Sequence, residues 1–373
     1  MKLIERRYKI RKDLTKEVNG VTLYRIEAVK SFTNRLRRDI KKGDLGGWIE
    51  KKDNLSQEGE CWLYDDVCVF GNAKVYDDAI LTHNAMVFGN AKVYESALIC
   101  DAAKVCDNAE VFGNTFVYNY ALIKDNAKIQ GHASVSDKAI VSENAKVYNS
   151  AHITEYAHVY GHAEVSGNAF LKDNAQVYGH AKINGDTIIT NDARVYGNAN
   201  IYGKKHYCHS SYITNNGQVY GNAKIEGYIF ISDNGKVYGD ADISGVSKVT
   251  DNGQVSGTAN LFCVEIKENG NIAHSLVKHK IVSEDYDVVL HKEKLEKERY
   301  DRETDEYLRK QQERLDKKVK AWSTIDPNLP LNEWGKKADE IEKRIANGEE
   351  CDEEWLKKLN SRGHSSCCCS CGC

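Results

Sequence analysis

From Val69 to Leu261 every sixth residue is Val, Ile or Leu, with Tyr207 the one exception among 33 positions. Two residues before each there is usually a small residue, Ala in 23 of the 33, as at Ala73, Ala79, Ala85 and Ala91. The unit reads Ala-x-Val-x-Gly-Asn. A period of six does not match the 3.6 of an α-helix, and β-branched residues followed by Gly-Asn disfavour helix throughout. Strand alternation instead turns Ala and Val inward and the x residues outward, while Gly-Asn, both tolerant of positive φ, bends the chain. A strand of four and a corner of two, repeated three times, makes a triangular 18-residue coil. The pattern predicts an all-β solenoid, a left-handed parallel β-helix of about eleven coils and on the order of 50 Å long.

Stepping the sequence by 18 groups its outward residues. One corner reads Asn72, Asn90, Asn108, Asn126, Asn144, His162, His180, Asn198, Asn216, Asn234 and Asn252, which predicts stacked amides with Asn supplying the left-handed turn. One face pairs base with ring, Lys74 with Tyr76, Lys92 with Tyr94 and Lys146 with Tyr148, continuing to Tyr202, Tyr220 and Tyr238. Such a ladder stabilises a sheet by itself. Its functional reading is a platform for a glycan or polyanion, although Glu110 and Glu164 dilute the charge and disfavour nucleic acid. Another face carries an apolar stripe, Ile80, Leu98, Phe116, Phe170 and Ile188, broken by Ser134 and His152, and reads as a docking surface for protein or for self-association.

These repeats resemble the hexapeptide-repeat, left-handed parallel β-helix superfamily, whose units pair an aliphatic residue with a small residue four positions later, as Val75 and Ala79 do. The resemblance covers roughly residues 59 to 262. Before it, Gly43-Asp44-Leu45-Gly46-Gly47-Trp48-Ile49-Glu50 and Asn54-Leu55-Ser56-Gln57-Glu58-Gly59 look like the lead-in of largely uncharacterised bacterial and phage proteins, often labelled putative transferases or polymer-forming proteins. Many members of the superfamily are trimeric acyltransferases with a histidine in a cleft between neighbours. The resemblance therefore implies an acyl-coenzyme A-dependent alternative in which His162 or His180 is the general base, with His132, His152 and His158 nearby in sequence. The hexad register runs without a break from Val69 to Leu261, so no loop is expected to wall off a substrate pocket. The uneven stretch Gly203-Lys204-Lys205-His206-Tyr207-Cys208-His209 is expected to be a packing irregularity, with His206 beside Ile188 and Lys224 and Cys208 beside Thr190 and Glu226, and not a metal site.

Outside the repeat, residues 1–58 are expected to cap the first coil, 263–283 to connect, 284–362 to be helical and 363–373 to form a Cys-rich tail. An amphipathic helix is expected from about Glu284 to Trp322, a second through Leu331, Trp334, Ala338, Ile341 and Ile345, and a third through Trp355, Leu356 and Leu359. Those helices, or a second protomer, are expected along the apolar stripe. The tail thiols Cys367, Cys368, Cys369, Cys371 and Cys373 offer attachment by S-acylation, soft-metal binding or cross-linking. A net charge of −3 gives no global pull toward polyanions. With no apolar run of membrane length, the expectation is a cytoplasmic scaffold without cofactors, reaching a membrane only through its tail.

Overall fold

In the computed structural model the chain divides into two compact units, Met1–Ser283 and Glu284–Cys373. The structure describes residues 6–204, 210–273 and 276–278 of the first, and 331–347, 349 and 352–361 of the second with single positions 306, 309 and 321. The first unit is a parallel β-solenoid. One face stacks thirteen rungs, from Leu45–Ile49 through Cys68–Val69 and Met86–Val87 to Asn271–Ala273, and so makes about twelve turns instead of eleven. At the usual strand spacing of about 4.8 Å the rod is roughly 60 Å long.

The interior is built as the repeat requires. Ala73, Val75, Ala79, Leu81 and their equivalents on successive turns are almost fully buried along the whole axis. An 18-residue turn thus places three small and three aliphatic side chains in a narrow core, with Ile229 a larger residue at a small position. The corners refine the expectation. Positive φ falls on the first corner residue, Gly71, Gly89, Asp107, Asp125 and Glu143, and the following Asn stays in ordinary conformation. Those Asn side chains do stack: each Nδ2 donates to the next Oδ1 from Asn72 through Asn90, Asn108 and Asn126 to Asn144, at 2.9–3.3 Å.

The register is not uniform. Arg194 pairs with Gln218, Asn200 with Lys224 and Ile188 with Tyr212, an offset of 24 where the preceding turns have 18. One turn therefore holds six extra residues, and the expectation of an unbroken coil is overturned. Because six is one full repeat, Ala and Val still point inward after it. Asn198 donates to Asn222 and Asn222 to Asp240, whereas Asn216, Asn234 and Asn252 form a separate ladder on another corner. Near the end the offset falls to 17 between Lys248 and Glu265 and to 16 between Asn260 and Leu276, and coil strands continue to Lys278.

The N-terminal residues close one end. Tyr8–Val18 and Val21–Ala28 form an antiparallel hairpin whose second strand pairs antiparallel with Leu45–Ile49. Trp48 and Ile49 then pair in parallel with Cys68 and Val69, so the lead-in is the first rung, with a hairpin covering its free edge. Asn54 is fully buried and donates to the carbonyls of Gly71 and Ala73, bonding the lead-in to the second face. Leu23 folds over the outside of the first face against Cys68 and Phe70.

In the second unit, helices Leu331–Ala346 and Glu353–Ser361 bury Ile341, Ile345, Leu356 and Leu359 together, with Arg344 lying 4.6 Å over the Trp355 ring. The expected helix from Glu284 to Trp322 and the cysteine tail lie outside the described residues apart from isolated positions.

Two substitutions test this packing. Thr115 occupies an inward Ala position and its buried hydroxyl finds no partner among the described residues. Thr115→Val keeps the shape, removes the unmet hydroxyl and should stabilise by about 1 kcal/mol, read as a raised melting temperature. Gly161 and Gly185 both sit at positive φ, but a Cβ on Gly185 would lie 2.0 Å from the Gly203 carbonyl oxygen, against 2.8 Å from the Gly179 nitrogen for Gly161. Either change to Ala costs about 1 kcal/mol in backbone strain. Gly185→Ala should lower the melting temperature clearly more.

Candidate functional site

Every outward side chain on a turn sits one rung from its equivalent on the next, so surface chemistry is organised in columns. On the second face, Lys92–Val93 and its equivalents carry a column of lysines interrupted by Glu110 and Glu164. Lys92 bonds Glu110 at 2.9 Å, Lys128 bonds the other oxygen of Glu110 at 3.0 Å, and Lys146 bonds Glu164 at 3.0 Å. The pairing draws the Glu110 carboxyl below its usual range, Lys92 foremost. Such exposed pairs are worth about 0–1 kcal/mol each, and the two glutamates offset only part of the lysine charge of this column. Tyr76, Tyr94 and Phe112 stack at 4.8 Å, each ring lying against the next. Lys74 and Tyr148 occupy the same two columns, and Tyr202 is exposed with Lys204 5.6 Å over its ring.

Tyr220 and Tyr238 do not continue this column. The 24-residue turn places them on the first face, where Tyr160, Tyr178, Tyr196, Tyr220 and Tyr238 form a five-ring stack at 4.8–4.9 Å. The signal was present in the sequence: Val195-Tyr196-Gly197-Asn198-Ala199 recurs as Val219-Tyr220-Gly221-Asn222-Ala223, 24 residues on. Each ring contact adds about 0.5–1.5 kcal/mol beyond burial, so the ladder stiffens the rod.

The histidines are dispersed. His162 and His180 stack at 4.8 Å on an exposed corner, continuing the column of Asn72 to Asn144. Beside His180 a shallow depression is lined by Lys182, Asn198, Asn200, Asn222 and Lys224, and among the described residues no carboxylate bonds either ring. His152 Nδ1 lies 2.6 Å from the Ser134 hydroxyl, and His132 lines a separate depression with Glu95, Phe112 and Tyr148. His158 is half-buried, with Nε2 2.9 Å from the Ser142 hydroxyl and its ring tilted on Tyr160. Burial, helped by Lys124, lowers its pKa, while Glu143 acts the other way.

Burial raises Cys61, Cys100 and Cys106 to about 12, reinforced at the last two by Asp101 and Asp107, so none is a thiolate near neutrality. No group of three His, Cys, Asp or Glu side chains among the described residues is arranged to hold a metal. His206, Cys208 and His209 lie outside the described residues. The neighbours assigned to them are otherwise engaged, Ile188 with Tyr212 and Lys224 with Asn200.

The third face is the neutral one. From Leu98 to Ser232 its two outward columns carry one formal charge, Lys172. Leu98 pairs with Phe116 and Phe170 with Ile188, and the stripe runs on past the long turn through Tyr212 and Phe230. Ile80, however, is fully buried, at the end where Phe32 packs edge-on against Trp62 and Arg35 bonds the carbonyls of Asp78 and Ser96. Phe116 remains 45% exposed. No helix among the described residues is long and apolar enough to cross a membrane.

No protein-family model matches the chain. A stretch of 79 residues, 21% of this chain, is 34% identical to the Escherichia coli (strain K12) protein named uncharacterized acetyltransferase YdcK. The match covers 22% of that protein, so the chain spans about a fifth of the length of the curated relative it resembles.

The His158 environment sets a pH dependence. A histidine whose folded pKa is lowered favours the neutral form, so its stabilisation is complete above the ordinary value of 6.5 and is lost as pH falls below it. Melting temperatures at pH 7.5 and 5.5 should differ less for His158→Gln than for the wild type.

Proposed function

We propose that the protein is a rigid interaction scaffold that presents its neutral third face to a protein partner, first of all a second copy of itself. The observation that carries this reading is the contrast between faces. The first and second carry formal charges and stacked rings along their outward columns, with Lys92 bonding Glu110 and Tyr196 lying on Tyr220, whereas the third carries almost no charge and turns Phe116 and a line of apolar residues toward solvent. A solenoid holding these residues in straight columns suits a flat partner surface, because the side chains lose little further freedom on contact. The C-terminal thiols Cys367, Cys368, Cys369, Cys371 and Cys373 would then serve as an attachment point for the rod.

An acyltransferase is the second reading. It is favoured by the printed name of the matched protein and by the six extra residues in one turn, which restore the possibility of an inserted loop. In it, His162 or His180 would act as general base toward an acyl-coenzyme A.

Sedimentation and calorimetry separate the two readings. The scaffold reading expects an oligomer that Phe116→Asp with Phe170→Asp dissociates while the melting temperature holds. An oligomer indifferent to both changes, or a wild-type monomer, would contradict it. Acetyl-coenzyme A binding that His162→Ala or His180→Ala abolishes would favour the enzyme instead.

A further inference from the structure

The corner that follows the third face is occupied on successive turns by Asn84, Ala102, Tyr120, Lys138, Tyr156, Asn174 and Asp192, in register through backbone bonds such as Tyr120 N–H to Asp137 O and Tyr156 N–H to Asp173 O. Where other rungs carry small or polar residues, two carry Tyr, and their side chains are 68% and 58% exposed, the highest among the large apolar and aromatic residues of the described chain. Unlike the stacked tyrosines, these two are separated by a rung and do not cover one another. Lys138 fills that rung and leans toward Tyr156, 5.1 Å from its ring centre and 3.3 Å from its hydroxyl, so Tyr120 keeps an open ring face.

We propose that Tyr120 and Tyr156 form a binding site for a neutral, extended β-linked polysaccharide lying along the rod. Two rungs set the rings about 10 Å apart. In a β-1,4-linked chain alternate sugar rings turn the same face outward at about that interval, so two sugars can stack on the two tyrosines while Lys138 donates to hydroxyls of the sugar between. The charge beside the rings selects a neutral ligand. Asp137, Glu155 and Asp173 occupy the adjoining corner positions and would repel a polyanion, whereas sugar hydroxyls can donate to them. Asp137 accepts from the hydroxyls of Thr154 and Ser136 and from Asn119, Asp173 accepts from Thr190 and from the Asn191 N–H, and Glu155 accepts from the Asp173 N–H. These bonds join turns and hold the three carboxylates in place, with acceptor capacity left for sugar hydroxyls.

This inference is independent of the third-face reading, and sedimentation reports on that reading separately. Affinity electrophoresis and calorimetry with cellohexaose, chitohexaose and heparin test the site on the full chain. One of the two neutral hexasaccharides should bind, heparin should not, and Tyr120→Ala or Tyr156→Ala should each weaken binding at least ten-fold with an unchanged melting temperature and oligomeric state. Leu45→Ala, an exposed apolar change at the capped end, should bind as the wild type does. Failure of both neutral sugars at millimolar concentration, retention of binding by the double variant, or preference for heparin overturns the proposal.

Discussion

The structure depends on one constraint, that each turn must hydrogen-bond the next through its backbone. Donors such as Lys92 N–H and Tyr94 N–H reach carbonyls one rung away, Ala109 and Val111, and the same pattern recurs along the axis. It fixes the distance between equivalent residues and therefore what each may be. Inside, it favours a small residue, mostly Ala, followed by Val, Ile or Leu. At corners it demands positive φ, supplied by Gly or by Asp, Asn and Glu, whose side chains accept N–H groups of the following turn, as Asp65 does from His83 and Asp101 from Asn119. Outside, it makes equivalent residues neighbours, which explains the amide and tyrosine stacks and the sharing of Glu110 between Lys92 and Lys128.

The same constraint governs how much could be read from the chain. Inward positions obey a local rule, small residue then aliphatic residue, and the solenoid follows from it directly. Faces obey a longer rule, the count of residues per turn, and that count changes after Gly203 without disturbing the local one. Hence Lys74, Lys92 and Lys146, which precede the change, share one face at a constant step of 18, while Tyr220, Tyr238 and Asn216, which follow it, lie in columns that step does not give. Ile80 was legible as an outward stripe residue but not as a buried one, because the N-terminal segment that reaches this end has no periodicity to announce its path. The hairpin of residues 8–28 shows only short alternating stretches in sequence, yet it extends the first sheet past its terminal rung.

Side chains on the surface divide into those that serve the rod and those that do not. Lys92 and Lys128 share Glu110, and Tyr178 and Tyr196 lie against each other, so removing any one affects mainly its neighbours. Phe116 and Tyr120 have no such reciprocity, and Tyr156 has only Lys138 against it. Their exposure contributes nothing to the packing of the coil, and it is at these positions that a ligand or partner could lower the free energy of the surface without disturbing the core.

The turn with six extra residues bears on descent as well as on geometry. Gain or loss of one hexad leaves every buried contact type intact, so the core raises little barrier to it, while each such slip reassigns all later residues to a different side relative to earlier ones. Two related rods can thus align well residue by residue and still bring unlike surfaces into correspondence. A binding surface is inherited as a unit only within stretches free of slips, and in this chain one such stretch runs from the capped end to Gly203.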